Sequence, residues 1–263
     1  VAEVITNQEL INKFAEQAMK EPEETVTTRV PLGPEVSLPG GFIDNNELVT
    51  TVEVRELTGV DEEAIAKAST TGKALNVLLQ RGLVKVGRRE ATKEDLDEML
   101  SGDRDAALIG IRKVTFGETV DFKLTCQSCL TEQVATVNLT EDIPVHKLDD
   151  PINDRTWTVE TKKGYVTLTL PTGVVQRKLL ENADKTSAEI NTMLLTSCVL
   201  SVNNEPSVGA YTVLSLGIGD RSKLVEEILS RNPGPRLGEV SKNCKACGES
   251  MSLPLSLVDL FRI

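Results

Sequence analysis

The sequence predicts an α+β fold: two internally repeated units of mixed helix and strand, preceded by an N-terminal helical arm and held together at a shared four-cysteine site. Three observations predict it. Cys126-Gln-Ser-Cys129 and Cys244-Lys-Ala-Cys247 are C-x2-C pairs, each able to aim two sulfurs at one metal ion from a tight turn. Short markers recur in the same order: Thr58-Gly59-Val60 as Thr172-Gly173-Val174, and Gly102-Asp103-Arg104 as Gly219-Asp220-Arg221, followed in each case by a C-x2-C. The pattern between the markers mixes short β-branched alternating runs with amphipathic stretches. The expected organisation is residues 1–34 as arm and linker, 35–141 as the first unit with the first cysteine pair, and 142–263 as a connector and the second unit with the second pair.

Residues 7–20 read as an amphipathic helix. Asn7 is placed to cap it, and Leu10, Phe14 and Ala18 lie beside Ile11, Ala15 and Met19. Pro22 ends it, and the Glu-, Thr- and Pro-rich stretch to Pro34 reads as an extended linker. The first unit starts near Leu38-Pro39-Gly40-Gly41, with a turn at Asp44-Asn45-Asn46 and a strand over 48–55. Asp61 is expected to cap a helix from Glu62, and a second helix covers 73–81. A short strand at 83–86 precedes helices capped by Thr92 and Asp103, and strands at 119–124 and 133–139 flank the first cysteine pair.

The connector, 142–154, holds the single histidine, His146, which is expected to be a loop residue rather than a ligand. The second unit opens with a hairpin, 156–160 and 165–170. Helices are expected at 174–182, 187–202 and 220–231, the last stopped by Asn232-Pro233-Gly234-Pro235. The run Leu255–Ile263 is too apolar to hang free and must dock on this chain or on a partner.

Four thiolates fill a tetrahedral site and leave no open coordination position, so Cys126, Cys129, Cys244 and Cys247 are expected to hold a structural zinc, with iron as the other metal such a set accepts. Cys198 lies in an apolar run and reads as a small buried hydrophobe. One histidine cannot supply a Ser/His/Asp set, and neither a P-loop nor a complete G-x-G-x-x-G is present, so no enzyme chemistry is expected. The Asp-Arg pairs at 103–104 and 220–221 are read as caps and as contacts between units. A net charge of −11 argues against a broad phosphate-binding surface, although Arg88, Arg89, Lys242 and Lys245 offer a local basic patch for a zinc-ribbon nucleic-acid module. No apolar run approaches the roughly 20 residues that span a bilayer, and no secretory signal is visible.

Leu38-Pro-Gly-Gly41, then Val54-Arg-Glu-Leu-Thr-Gly-Val-Asp-Glu-Glu63, then Ser101-Gly-Asp-Arg104 followed by Ile111-Arg-Lys-Val-Thr-Phe-Gly-Glu118 and Cys126-x2-Cys129, resemble the baseplate hub and hub-assembly proteins of contractile-tailed phages. The resemblance covers about residues 36–140 well and the remainder more loosely. It implies a non-enzymatic role in the tail baseplate of a virion, in the host cytoplasm during assembly, with other tail proteins as partners and self-association as a further expectation. A transient assembly chaperone is the alternative that the resemblance leaves open. The arm at 7–20 and the tail at 253–263 are the expected contacts to other subunits.

Overall fold

The computed structural model describes residues 34–207, 209–253 and 255–261; the predicted arm helix at 7–20 lies outside the described residues. β1 (Glu35–Asp44) and β2 (Glu47–Val54) form a hairpin. Its turn residues Asn45 and Asn46 have φ of 47° and 66°, the left-handed pair that a two-residue hairpin turn demands and that Asn tolerates. Helices α1 (Gly59–Ala66) and α2 (Thr71–Gly82) follow, then β3 (Leu83–Val86) and β4 (Arg89–Glu90), then α3 (Lys93–Glu98) and α4 (Ser101–Phe116). The four strands make one antiparallel sheet in the order β1-β2-β3-β4. A separate hairpin, β5 (Thr119–Thr125) and β6 (Glu132–Asn138), carries the first cysteine pair at its tip.

After β7 (Val145–His146) the same order of elements occurs again. β8 (Thr156–Thr161) and β9 (Gly164–Thr169) precede helices α5 (Gly173–Glu181) and α6 (Ser187–Cys198), then β10 (Val199–Val202) and β11 (Glu205–Pro206). Helices α7 (Ala210–Leu214) and α8 (Ile218–Arg231) come next. The sheet runs β8-β9-β10-β11. β12 (Gly234–Pro235) pairs with β7, the hairpin β13 (Ser241–Asn243) and β14 (Ser250–Ser252) carries the second cysteine pair, and α9 (Leu257–Phe261) ends the described chain.

Each half has its own core. Val52, Val54, Leu79, Met99 and Ile111 lie in the first, and Val166, Leu168, Leu195, Leu224 and Ile228 in the second. A third core is shared: Val120, Val137 and Leu139 of the first ribbon region pack with Val240, Leu253 and Leu260. Full burial of each such side chain contributes about 1.5–3 kcal/mol before conformational entropy is subtracted.

Several expectations are corrected. Glu35–Asp44 is a strand throughout, although the first unit is expected to start only near Leu38; a bulge between Ser37 and Phe42, with Gly41 at φ 69°, absorbs the Pro-Gly-Gly. Asp61 is not a cap: Thr58 is, and the Asp61 carboxylate accepts from the Thr58 N–H and O–H at 2.9 Å each. Asp103 and Asp220 likewise sit in the first turns of α4 and α8, whose caps are Leu100 and Gly217. The expected helix 187–202 stops at Cys198, and Val199–Val202 pairs with β9 as a strand. The C-terminal run docks on its own chain: Leu260 is buried and its carbonyl accepts from Arg112 Nε at 2.7 Å. Residues 255–261 are therefore used internally.

Candidate metal centre

The two ribbon tips are the same turn built twice. In the first, the Cys126 N–H donates to Thr131 O and the Leu130 N–H to Cys126 O; in the second, the Cys244 N–H donates to Glu249 O and the Gly248 N–H to Cys244 O. Leu130 and Gly248 both occupy the left-handed region, at φ 56° and 78°. This geometry lets both sulfurs of a pair point the same way.

The fold brings the tips together. The four Sγ atoms lie within 4.8 Å of one another, with Cys126–Cys247 at 3.7 Å and Cys129–Cys244 at 3.6 Å. A tetrahedral ion with metal–sulfur bonds of about 2.3 Å has edges of about 3.8 Å, so the donor set fits a closed four-thiolate site. Cys126 and Cys244 are buried, while Cys129 and Cys247 face solvent. The N–H groups of Cys247 and then Ala246 hold the Cys244 thiol down to about 6, and the Thr131 side chain lowers Cys129. At Cys247 the Glu249 N–H favours the thiolate, but the sulfurs of Cys129, Cys244 and Cys126 together push the thiol up to about 12.

Three further bonds tie one ribbon to the other. The Lys245 N–H donates to Gln133 Oε1 at 3.0 Å, Lys245 Nζ to Val134 O at 3.1 Å, and Gln133 Nε2 lies 3.1 Å from Met251 Sδ. Neither Gln133 nor Met251 carries a sequence signal beyond its place beside a knuckle.

The model of a family described as T4 bacteriophage base plate protein matches residues 43–262. The chain belongs to that family. Membership makes it a structural component of a phage tail, with other tail proteins as its neighbours. No curated protein and no solved structure matches it.

In this base plate protein the paired Gly-Asp-Arg motifs do local work. The Asp103 carboxylate accepts from the Gly40 N–H in the β1 bulge at 2.7 Å, and Asp220 accepts from the Lys162 N–H at the β8–β9 turn at 3.3 Å. Burial pushes Asp103 up to about 7 despite the Gly40 N–H and the nearby Arg155. Arg104 is fully buried at the line where the two halves meet. Its guanidinium donates to Gln176 Oε1 at 2.7 Å, to Asn76 Oδ1 at 3.0 Å and to Leu96 O. Of these, Gln176 lies across the expected boundary at residues 141–142 from Arg104. Arg221 stays within its own half, on Thr192 Oγ1 at 2.6 Å and Ala188 O at 3.3 Å.

His146 is away from the sulfur cluster: its Nδ1 lies 3.2 Å from Asn232 O and 3.1 Å from Arg236. Burial raises the Cys198 thiol to about 12, consistent with a core residue. Three of the four basic residues of the expected patch are committed within the chain. Arg89 is forked onto Asp95 and reaches Asp44, Lys242 pairs with Asp142, and Lys245 is held by Val134. Among the described residues no helix is long and apolar enough to cross a membrane.

Proposed function

We propose that this chain is a non-enzymatic structural subunit of the hub or tail-tip region of a baseplate, made of two repeats, 35–141 and 142–263, that a structural zinc on Cys126, Cys129, Cys244 and Cys247 clamps together. The observation that carries the reading is the convergence of four sulfurs from two hairpins far apart in sequence. The recurring element order, the identical knuckle turns and the equivalent placement of Asp103 and Asp220 support the repeat. A closed thiolate site offers no position for substrate, and the binding energy of its metal is folding energy.

Metal analysis of the purified chain tests the clamp. One zinc per chain is expected, falling to well below one in Cys126→Ser and in Cys247→Ser, with earlier unfolding in both. A wild-type chain that holds no metal, or that loses metal without loss of stability, defeats it. Quantitative mass spectrometry of purified particles tests the location. A fixed copy number is expected for a permanent subunit, and abundance in infected cells with absence from particles would assign the chain to assembly.

A further inference from the structure

Apart from the ribbons and the core they share, the halves meet where a helix of one seats on helices of the other. Helix α5 of the second half seats on α2, α3 and α4 of the first. At its start the Gly173 N–H donates to Met99 O at 2.8 Å, Thr172 bridges Leu100, and Pro171 O accepts from the Ser101 N–H at 2.9 Å. Along its length Gln176 Oε1 accepts from Arg104, and Leu180 fills the space over Gly72, where a Cβ would come within 2.7 Å of it.

Each partner in this contact has a counterpart that is left open. The counterpart of the seat is the groove between α6, α7 and α8, lined by Ala188, Thr192, Leu214, Leu216, Ile218 and Arg221. Arg221 is anchored there on Thr192 as Arg104 is on Asn76. Leu214 is 61% exposed and Ile218 85%. The counterpart of the plug is α1, which begins with the same Thr-Gly-Val. Thr58, Gly59, Glu62 and Ala66 line one open groove, and Val60 is 69% exposed. A Cβ on Gly173 would lie 1.9 Å from Leu96 O, whereas a Cβ on Gly59 would meet nothing within 4 Å. The chain thus carries one filled seat and, among the described residues, one vacant seat and one unused plug.

We infer that copies of this chain associate head to tail, α1 of one copy seating on the α6–α7–α8 groove of the next. The inference rests on the repeat reading above. The side chains are matched for it. Glu62 stands where Gln176 does, so it reaches Arg221 and a hydrogen bond from a guanidinium to a neutral amide becomes an ion pair. Ala66 stands where Leu180 does and meets Ala188 in place of Gly72, so a large–small contact becomes a small–small one. Leu57 replaces Pro171 and meets Ile218. Two contacts have no equivalent: the Arg177–Asp97 ion pair, its places being taken by Glu63 and Leu214, and the donation from Gln176 Nε2 to Asp105 Oδ1 and Ser101 O, which the Glu62 carboxylate cannot make. A contact between different surfaces of identical chains is heterologous, and it closes into a ring or continues as a filament according to its rotation.

Analytical ultracentrifugation of the full-length, zinc-loaded chain tests this. The wild type should associate with rising concentration across about 1–300 μM, the range of a small interface. Glu62→Arg places like charges on Arg221, and Ile218→Lys puts a charge on the apolar contact; each alone should weaken association at least about tenfold. Mixed together, the two variants retain one working junction and should form a 1:1 dimer that grows no further. The Glu62→Arg/Arg221→Glu double variant should recover self-association. A monomeric wild type overturns the inference and assigns the groove to a different tail protein. Association that neither substitution weakens, or variants that fail to form the mixed dimer, also overturns it. Zinc content measured on every sample separates this failure from failure of the clamp.

Discussion

Gly102 and Gly219 occupy the same place in two copies of one tripeptide, yet replacing each by alanine should change stability in opposite directions. Both lie in the first turn of a helix, where Gly→Ala gains up to about 1 kcal/mol from helix propensity. At Gly219 a Cβ meets nothing within 4 Å, so that gain should appear nearly in full. At Gly102 the added Cβ would lie 1.5 Å from Pro233 O and 2.5 Å from Pro233 C, and Gly234 Cα is 3.0 Å away. These are backbone atoms that cannot rotate aside, so the Pro233 strand must retreat by roughly 1.5–2 Å to reach van der Waals distance. Retreat weakens the Ser101–Asn232 hydrogen bond and the β7–β12 pairing beside it. Overpacking costs about 1–3 kcal/mol, occasionally more, and a lost hydrogen bond about 1 kcal/mol. Set against the propensity gain, Gly102→Ala should lose about 2–3 kcal/mol while Gly219→Ala gains about 0.5–1 kcal/mol. Urea unfolding of the zinc-saturated proteins, followed by circular dichroism, measures both. If Gly102→Ala falls within about 0.5 kcal/mol of wild type, the close approach that joins the halves is not there.

Two carboxylates should give the stability profile opposite slopes. The Arg55 fork, aided by the Thr58 donors, holds Asp61 down to about 2, below its unfolded value of about 3.9. Its contribution, about 1–2 kcal/mol, is present above pH 4 and is lost as pH falls toward 2, so Asp61→Asn should flatten the acid limb of a pH series of urea midpoints. Burial raises Asp103 to about 7, so ionising it costs stability as pH climbs from about 4 through 7. Asp103→Asn should therefore compare better with wild type at pH 8 than at pH 5, and an unchanged difference would refute the assignment. Arg104→Leu strips a fully buried guanidinium from Leu96 O, Asn76 and Gln176, and should cost about 3–5 kcal/mol in the same assay. Leu130→Gly, at an exposed left-handed residue, should be neutral or stabilising by up to about 1 kcal/mol, whereas Gly248→Leu at the matching turn should lower stability and slow metal uptake.

The metal cluster was legible because C-x2-C is a covalent-geometry constraint written in adjacent residues, and nothing else in the chain competes for it. The ribbon strands were legible for a related reason: alternation over Thr119–Thr125 and Glu132–Asn138 has one face to bury. Local rules failed where a distant element decides. Leu38-Pro39-Gly40-Gly41 marks only the start of a unit in the sequence, but α4 packs against it and Asp103 takes the Gly40 N–H, so a strand runs through it by way of a bulge. Val199–Val202 continues a helical apolar run, yet β9 offers it an edge and the helix ends at Cys198. The caps were misplaced by three residues because Asp at the third helical position and Asp at the cap look alike in sequence. Only the Thr58 contacts separate them at Asp61. Gln176 gave no signal at all, and Gly173 stood out only as part of a recurring marker, since their roles exist only once the halves are in contact.

That contact shows what a metal on the proposed site would add. The buried residues of the first and second cores each belong to one half, with Leu257 and Phe261 alone reaching the first core from the other, and the contact that α5 makes is largely polar. It consists of a buried arginine on amide and carbonyl oxygens, an Arg177–Asp97 ion pair, and glycines that bring backbone against backbone. Such contacts fix orientation well but contribute modest net free energy, because every polar group is desolvated first. The shared third core, with Val137 and Leu253 at its centre, supplies apolar burial at the ribbon end. A metal held by the sulfur cluster at its edge would add a bond whose strength does not depend on area. If the metal supplies that missing cohesion, chelation should first loosen the ribbons, exposing amides of β5, β6, β13 and β14 to hydrogen exchange while Leu79 and Leu195 in the two separate cores stay protected. Uniform loss of protection across all three cores would mean that the metal is required for folding of each half and not for their union.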